Sequence, residues 1–245
     1  MNFSTTSPNQ KNFMTNVYFD RVFFPMVRVE SIDAFLHWIP VTKVQFEYFL
    51  WDSISQGLDQ AWLERMYKLN PRIAPAKIAR NNYWRIFMTG IAPFEADRFA
   101  GWCGDDADEK ALYALPTAEE WLRAFNELQN RNCLLPDELV HAQAPDRIKT
   151  LLLKLTAAAP QPPRTLADQM FFNGGVLEWV QHQGERAGDP GYVAHGCLNP
   201  GWDDNVIHTN HLSRPLPVKS VPGSPDDNKG RYAHYGFRLL RREES

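Results

Sequence analysis

The stretch Phe171-Phe172-Asn173-Gly174-Gly175-Val176-Leu177-Glu178-Trp179-Val180 limits what this chain can become more than any other part of it. Two adjacent glycines suit a backbone that turns sharply or passes close to another segment. Val176, Leu177, Trp179 and Val180 then read as a strand with one carboxylate, Glu178, set inside it. Such a carboxylate either faces water on an edge strand or is buried with a partner, because burying it alone is costly. Pairing with a cation, binding a metal ion and accepting from backbone amides would all satisfy it.

The chain around this stretch holds both strand and helix patterns. Residues 1–15 read as a flexible tail, and residues 16–245 as one domain. Asn16 to Val29 and Phe35 to Ile39 read as strands, with Pro40 ending the second. Thr42 and Gln45 have capping-box spacing, so a helix is expected through Val44, Phe46, Phe49 and Leu50. Trp62, Leu63, Met66 and Leu69 recur at helical spacing, and that helix should close at Asn70-Pro71. A third helix is predicted from Pro93 to Cys103, and a fourth behind the Thr117/Glu120 capping box. Between about 133 and 165 the spacing predicts a helical insertion, around Pro145 to Ala157, stopped by Pro160, Pro162 and Pro163. Trp121 and Trp179 are expected in the core. Beyond Val180 the chain is rich in Gly and Pro and reads as irregular loops.

Composition removes several classes of function. Over 245 residues, 44% hydrophobic and 13% aromatic content supports a sizeable core. A net charge of −3 with no basic tract gives no electrostatic reason to expect nucleic acid as a partner. No run of eighteen apolar residues predicts a membrane span, and Met1 to Gln10 lacks the apolar centre of a signal peptide. Cys103, Cys133 and Cys197 are widely spaced, as expected of reduced thiols in the cytoplasm. The sequence holds no G-x-S-x-G elbow, phosphate-binding loop or H-E-x-x-H helix.

Four stretches together resemble the formylglycine-generating enzyme/sulfatase-modifying factor family, a branch of the C-type lectin fold. Ile39-Pro40-Val41-Thr42-Lys43-Val44-Gln45-Phe46, followed by Phe49-Leu50, is similar to the family's P-V-T-N-x-Q-F-x-x-F-L. Leu115-Pro116-Thr117-Ala118-Glu119-Glu120-Trp121 is similar to L-P-T-E-A-E-W, Gly174 to Trp179 to G-N-V-W-E-W, and Tyr235-Gly236-Phe237-Arg238-Leu239 to the closing G-F-R-L. The resemblance implies an α+β fold of small twisted antiparallel sheets, flanking helices and long irregular C-terminal loops. It also implies a calcium site at Glu178, with Asn173 compensating for the Asn that Gly175 replaces. Formylglycine-forming members need two closely spaced cysteines near the C-terminus, and the matching region here, Tyr192 to Trp202, holds only Cys197. Oxidation of that kind is therefore not expected. A related branch makes sulfoxide precursors with an iron site supplied largely by an extra helical domain, for which the residues before Val27 leave no room. A metal-dependent oxidoreductase would have to draw on His195, His208, His211 and His234, with Asp203 and Asp204 nearby.

The leading expectation is a non-catalytic module that binds a protein or a small polar ligand through residues 182–235. That region supplies Trp202, Asp203, Asn205, His208, His211, Arg231, Tyr232 and His234. Aromatic residues with short polar neighbours make adaptable contact surfaces at low entropic cost. Its composition also resembles the variable region of diversity-generating retroelement target proteins, which share the fold and end near a G-F-R motif. The alternative is a metal-dependent oxidoreductase related to formylglycine-generating or sulfoxide-synthase enzymes, and a third reading is that these loops only wrap the sheet.

Overall fold

A computed structural model of the protein describes residues 17–52, 58–104, 111–132, 144–159, 162–183, 190–198, 213–214 and 234–243. Short strands open the described chain: β1 (Val17–Phe19), β2 (Pro25–Val29) and β3 (Ala34–His37), each antiparallel to the next. The expected strand from Asn16 to Val29 is broken at Asp20. Its Oδ1 accepts from Val22 N at 2.9 Å and Phe24 N at 2.8 Å, closing a turn in which Phe23 takes φ 62°. From the far end of the sequence β11 (Leu240–Glu243) pairs with β3, and β4 (Ala111–Ala114) pairs with β11. The sheet order is β1-β2-β3-β11-β4, so Leu36 and Leu240 are direct neighbours.

A second sheet, in the order β10-β6-β7-β9, contains β6 (Leu177–Gln183), β7 (Pro190–His195), β9 (Ser213–Arg214) and β10 (Tyr235–Gly236). β6 and β7 form an antiparallel ladder from Glu178↔His195 to Gln183↔Pro190. β5 (Asn173–Gly175) pairs with β8 (Cys197–Leu198), with a register shift between Asn173 and Gly175. A glycine inside a strand commonly marks such an irregularity. The sheets are not wholly antiparallel: β10 runs parallel to β6, and β8 parallel to β5.

Helices cover these sheets where local sequence signals place them. In α1 (Lys43–Asp52), Gln45 Oε1 accepts from Thr42 N at 2.8 Å. Asp59 caps α2 (Gln60–Leu69) by accepting from Trp62 N at 2.8 Å, and the helix stops at Asn70 ahead of Pro71. α3 (Pro93–Gly104) starts at its proline, and α4 (Ala118–Gln129) carries the Thr117/Glu120 capping box. α5 (Asp146–Ala158) is the helix expected in the 133–165 segment, and it buries Ile148, Leu151, Leu152 and Leu155. The short α6 (Leu166–Gln169) leads into β5.

One hydrophobic cluster runs from Val22 to Leu240 and draws on both sheets and on α5. Trp121 and Trp179 are fully buried, as expected. Phe46 ties three helices together, its ring stacked 5.5 Å from Trp62 and 5.4 Å from Phe99. Among the described residues no helix is long and apolar enough to cross a membrane.

Candidate functional site

Glu178 sits in β6, where both sheet partners and the helix layer close over it. It is 1% exposed, so it does not face water on an edge strand. Arg238, 0% exposed, donates from Nε to Glu178 Oε2 and from Nη2 to Oε1, both at 2.6 Å. Trp121 Nε1 donates to the same Oε2 at 3.0 Å. The remaining donors of Arg238 reach His37 O at 3.2 Å and Met170 O at 3.1 Å, and its guanidinium lies 3.9 Å from the Phe172 ring centroid. This forked, charge-assisted geometry is what a buried ion pair needs to offset the loss of hydration.

The cation beside Glu178 is therefore a guanidinium, in the place that the resemblance gave to calcium. Both carboxylate oxygens accept from this guanidinium. Asn173 contributes its backbone to β5, opposite Cys197, and its side chain lies outside the described residues. Among the described residues no group of three or more His, Cys, Asp or Glu side chains is gathered for a metal ion.

The four stretches noticed in the sequence meet here. Trp121, Glu178 and Arg238 come from three of them. The fourth joins through Val41 N, which donates to Phe237 O at 2.7 Å, and through Phe46, whose ring meets Phe237 edge-on at 6.3 Å.

The same node holds the described residues that flank 199–233. Leu198 is paired with Gly175, and Tyr235 with Leu177, so the segment leaves and returns beside the residues that precede Glu178. Leu177 N donates to His234 O at 3.0 Å at the return point. Between these ends, Ser213 and Arg214 pair with His195 and Ala194 on the outer side of β7.

Trp202, Asp203, Asn205, His208, His211, Arg231 and Tyr232 all lie outside the described residues, as does Asp204. His234 is described. It is half-buried, its ring edge-on to Tyr235 at 4.8 Å, and burial pushes its pKa down to about 4. His195 is buried in β7, 5.6 Å from the Trp121 ring. His195 lies in β7 and His234 just before β10, strands on opposite sides of β6.

Sequence reasoning missed a second buried polar pair. His37 Nε2 lies 3.0 Å from Asp20 Oδ2, while His37 Nδ1 accepts from Leu239 N at 3.3 Å, which places the proton on Nε2. Both side chains are enclosed and brace β3 against the β1–β2 turn. Cys103 is buried in α3, and burial pushes its thiol pKa up, the opposite of an activated nucleophile. Compared with protein-family models, curated proteins and solved structures, the chain matches none.

Proposed function

We propose that the protein is a non-catalytic binding module of the sulfatase-modifying-factor, C-type lectin-like kind. It recognises a protein or small polar ligand through the 182–235 face. The observation that carries this reading is the anchoring of residues 199–234 at both ends beside Glu178, with a further tether at Ser213–Arg214. A long polar and aromatic segment held at its base by a rigid scaffold is a common arrangement for recognition. Glu178, Arg238, His37 and Asp20 are spent on that scaffold, which leaves recognition to the segment itself. The cysteine spacing goes with a cytoplasmic location.

Trp202, Arg231 and Tyr232 are the proposed anchors, because each joins a large contact area to a polar tip. Partner capture from native lysate, followed by titration of the three Ala variants, tests this. Each change should weaken binding by about 2 kcal/mol or more, the hot-spot range, with little change in thermal midpoint. If all three lose stability while the remaining folded protein binds normally, the segment is scaffold and the partner site lies elsewhere.

A further inference from the structure

We propose a second binding site, between α1 and α2, that takes a small amphipathic anion: an apolar or aromatic body with one carboxylate or sulfonate head. Between the helices lies an open cleft of about 1050 Å³. That matches the upper end of ligand pockets, roughly 300–1,000 Å³. Its walls include Val22, Val44, Leu50, Leu63 and the Trp102 indole, and Trp51 stands at the rim with 88% of its surface exposed. Such a lining favours an apolar body over a sugar or a polyphosphate.

Charge separates the two ends of the cavity. At one end Arg21 pairs with Asp52 at 3.0 Å, and Trp102 Nε1 donates to the same carboxylate oxygen at 2.7 Å, so this end is balanced. At the other end a single carboxylate, Glu47, has its Oε2 3.1 Å from Arg72 and 3.2 Å from Arg147. Behind these arginines a smaller cavity of about 40 Å³ adds Lys43 and Arg85 to the lining. Lys43 Nζ donates to Pro71 O at 3.3 Å and to Arg85 O, and Arg85 Nε is buried without a hydrogen-bond partner. Arg72 and Arg147 thus share one carboxylate in the larger cavity, with Lys43 and Arg85 lining the smaller one behind them.

The strain of this corner shows on Lys43, whose pKa is lowered to about 7 by burial and then by Arg85. An anionic head would offset that excess. The inner cavity has room for about one water. The head therefore stops at Arg72 and Arg147, whose side chains are 48% and 52% exposed and carry donors beyond those facing Glu47. None of these residues belongs to the 199–234 segment, so the two sites stand or fall separately.

The test uses 8-anilinonaphthalene-1-sulfonate and its neutral counterpart N-phenyl-1-naphthylamine, titrated calorimetrically into the full chain under native conditions. The sulfonate should bind one-to-one. In the double variant Arg72→Gln/Arg147→Gln its affinity should fall by about tenfold or more, while the neutral probe changes less than about twofold. Leu63→Trp, which fills the cavity, should weaken both. Dodecanoate should displace the sulfonate from the wild-type protein and dodecanol should not, a comparison that needs no variant to fold. No one-to-one binding, equal displacement by acid and alcohol, or a double variant that binds the sulfonate normally would each overturn the proposal.

Discussion

Glu178, in β6, and His234, just before β10, meet burial in different ways. Glu178 has a guanidinium against both of its oxygens. His234 has its pKa lowered from 6.5 to about 4 by desolvation. Between those values the unfolded chain takes up a proton that the folded chain refuses. Stability from this group is therefore fully present above pH 6.5 and is lost as pH falls toward about 4. His234→Gln should remove that dependence. Urea midpoints of wild type and variant should converge or cross as pH is lowered through the window, and a constant offset would contradict the placement of His234. That Glu178 needs a partner was legible in the sequence, because an isolated charge inside an apolar strand has few outcomes. Which partner was not legible. Arg238 lies 60 positions away, and its fork meets the carboxylate only after β6 and the Phe237–Leu239 backbone are brought together.

At the scale of elements, signals carried by three or four neighbouring residues were the readable ones. The boxes at Thr42/Gln45 and Thr117/Glu120 start helices where expected, since each cap satisfies backbone donors within its own turn. The parallel pairs β10–β6 and β5–β8 were not readable, because they depend on tertiary return of the chain, and the local turn at Asp20 was hidden by the strand-like residues on either side of it. Two glycines show how an element's surroundings decide the same substitution. A Cβ on Gly236 would lie 2.9 Å from Met88 O and 2.9 Å from Val176 Cγ2, and a backbone carbonyl cannot easily give way. Gly236→Ala should cost about 1–3 kcal/mol through overpacking. Gly101, inside α3, would place its Cβ in open space. Gly101→Ala should stabilise by roughly 0.5–1 kcal/mol, since Ala is the better helix former. Urea denaturation of both variants checks the pair, and equal signs would contradict the packing described.

At the scale of the whole molecule, the scaffold and the proposed recognition surface come from different kinds of sequence. Scaffold motifs carry fixed residue types at fixed spacing, so their order along the chain was visible before their geometry. The 199–233 segment declared itself by composition alone, and composition fixes no contacts. The cavity between α1 and α2 gave no signal at all, since Lys43, Arg72, Arg85 and Arg147 come together only in the folded chain. The account rests on the convergence of four separated stretches upon Glu178 and Arg238, and a double-mutant cycle of Glu178→Gln and Arg238→Met measures it most directly. Each single change leaves a buried group without its partner and should cost about 3–5 kcal/mol in urea denaturation. The double variant should cost less than the sum by about 1–3 kcal/mol. Costs that add to within about 0.5 kcal/mol would mean that the two side chains do not meet, and the convergence would be refuted.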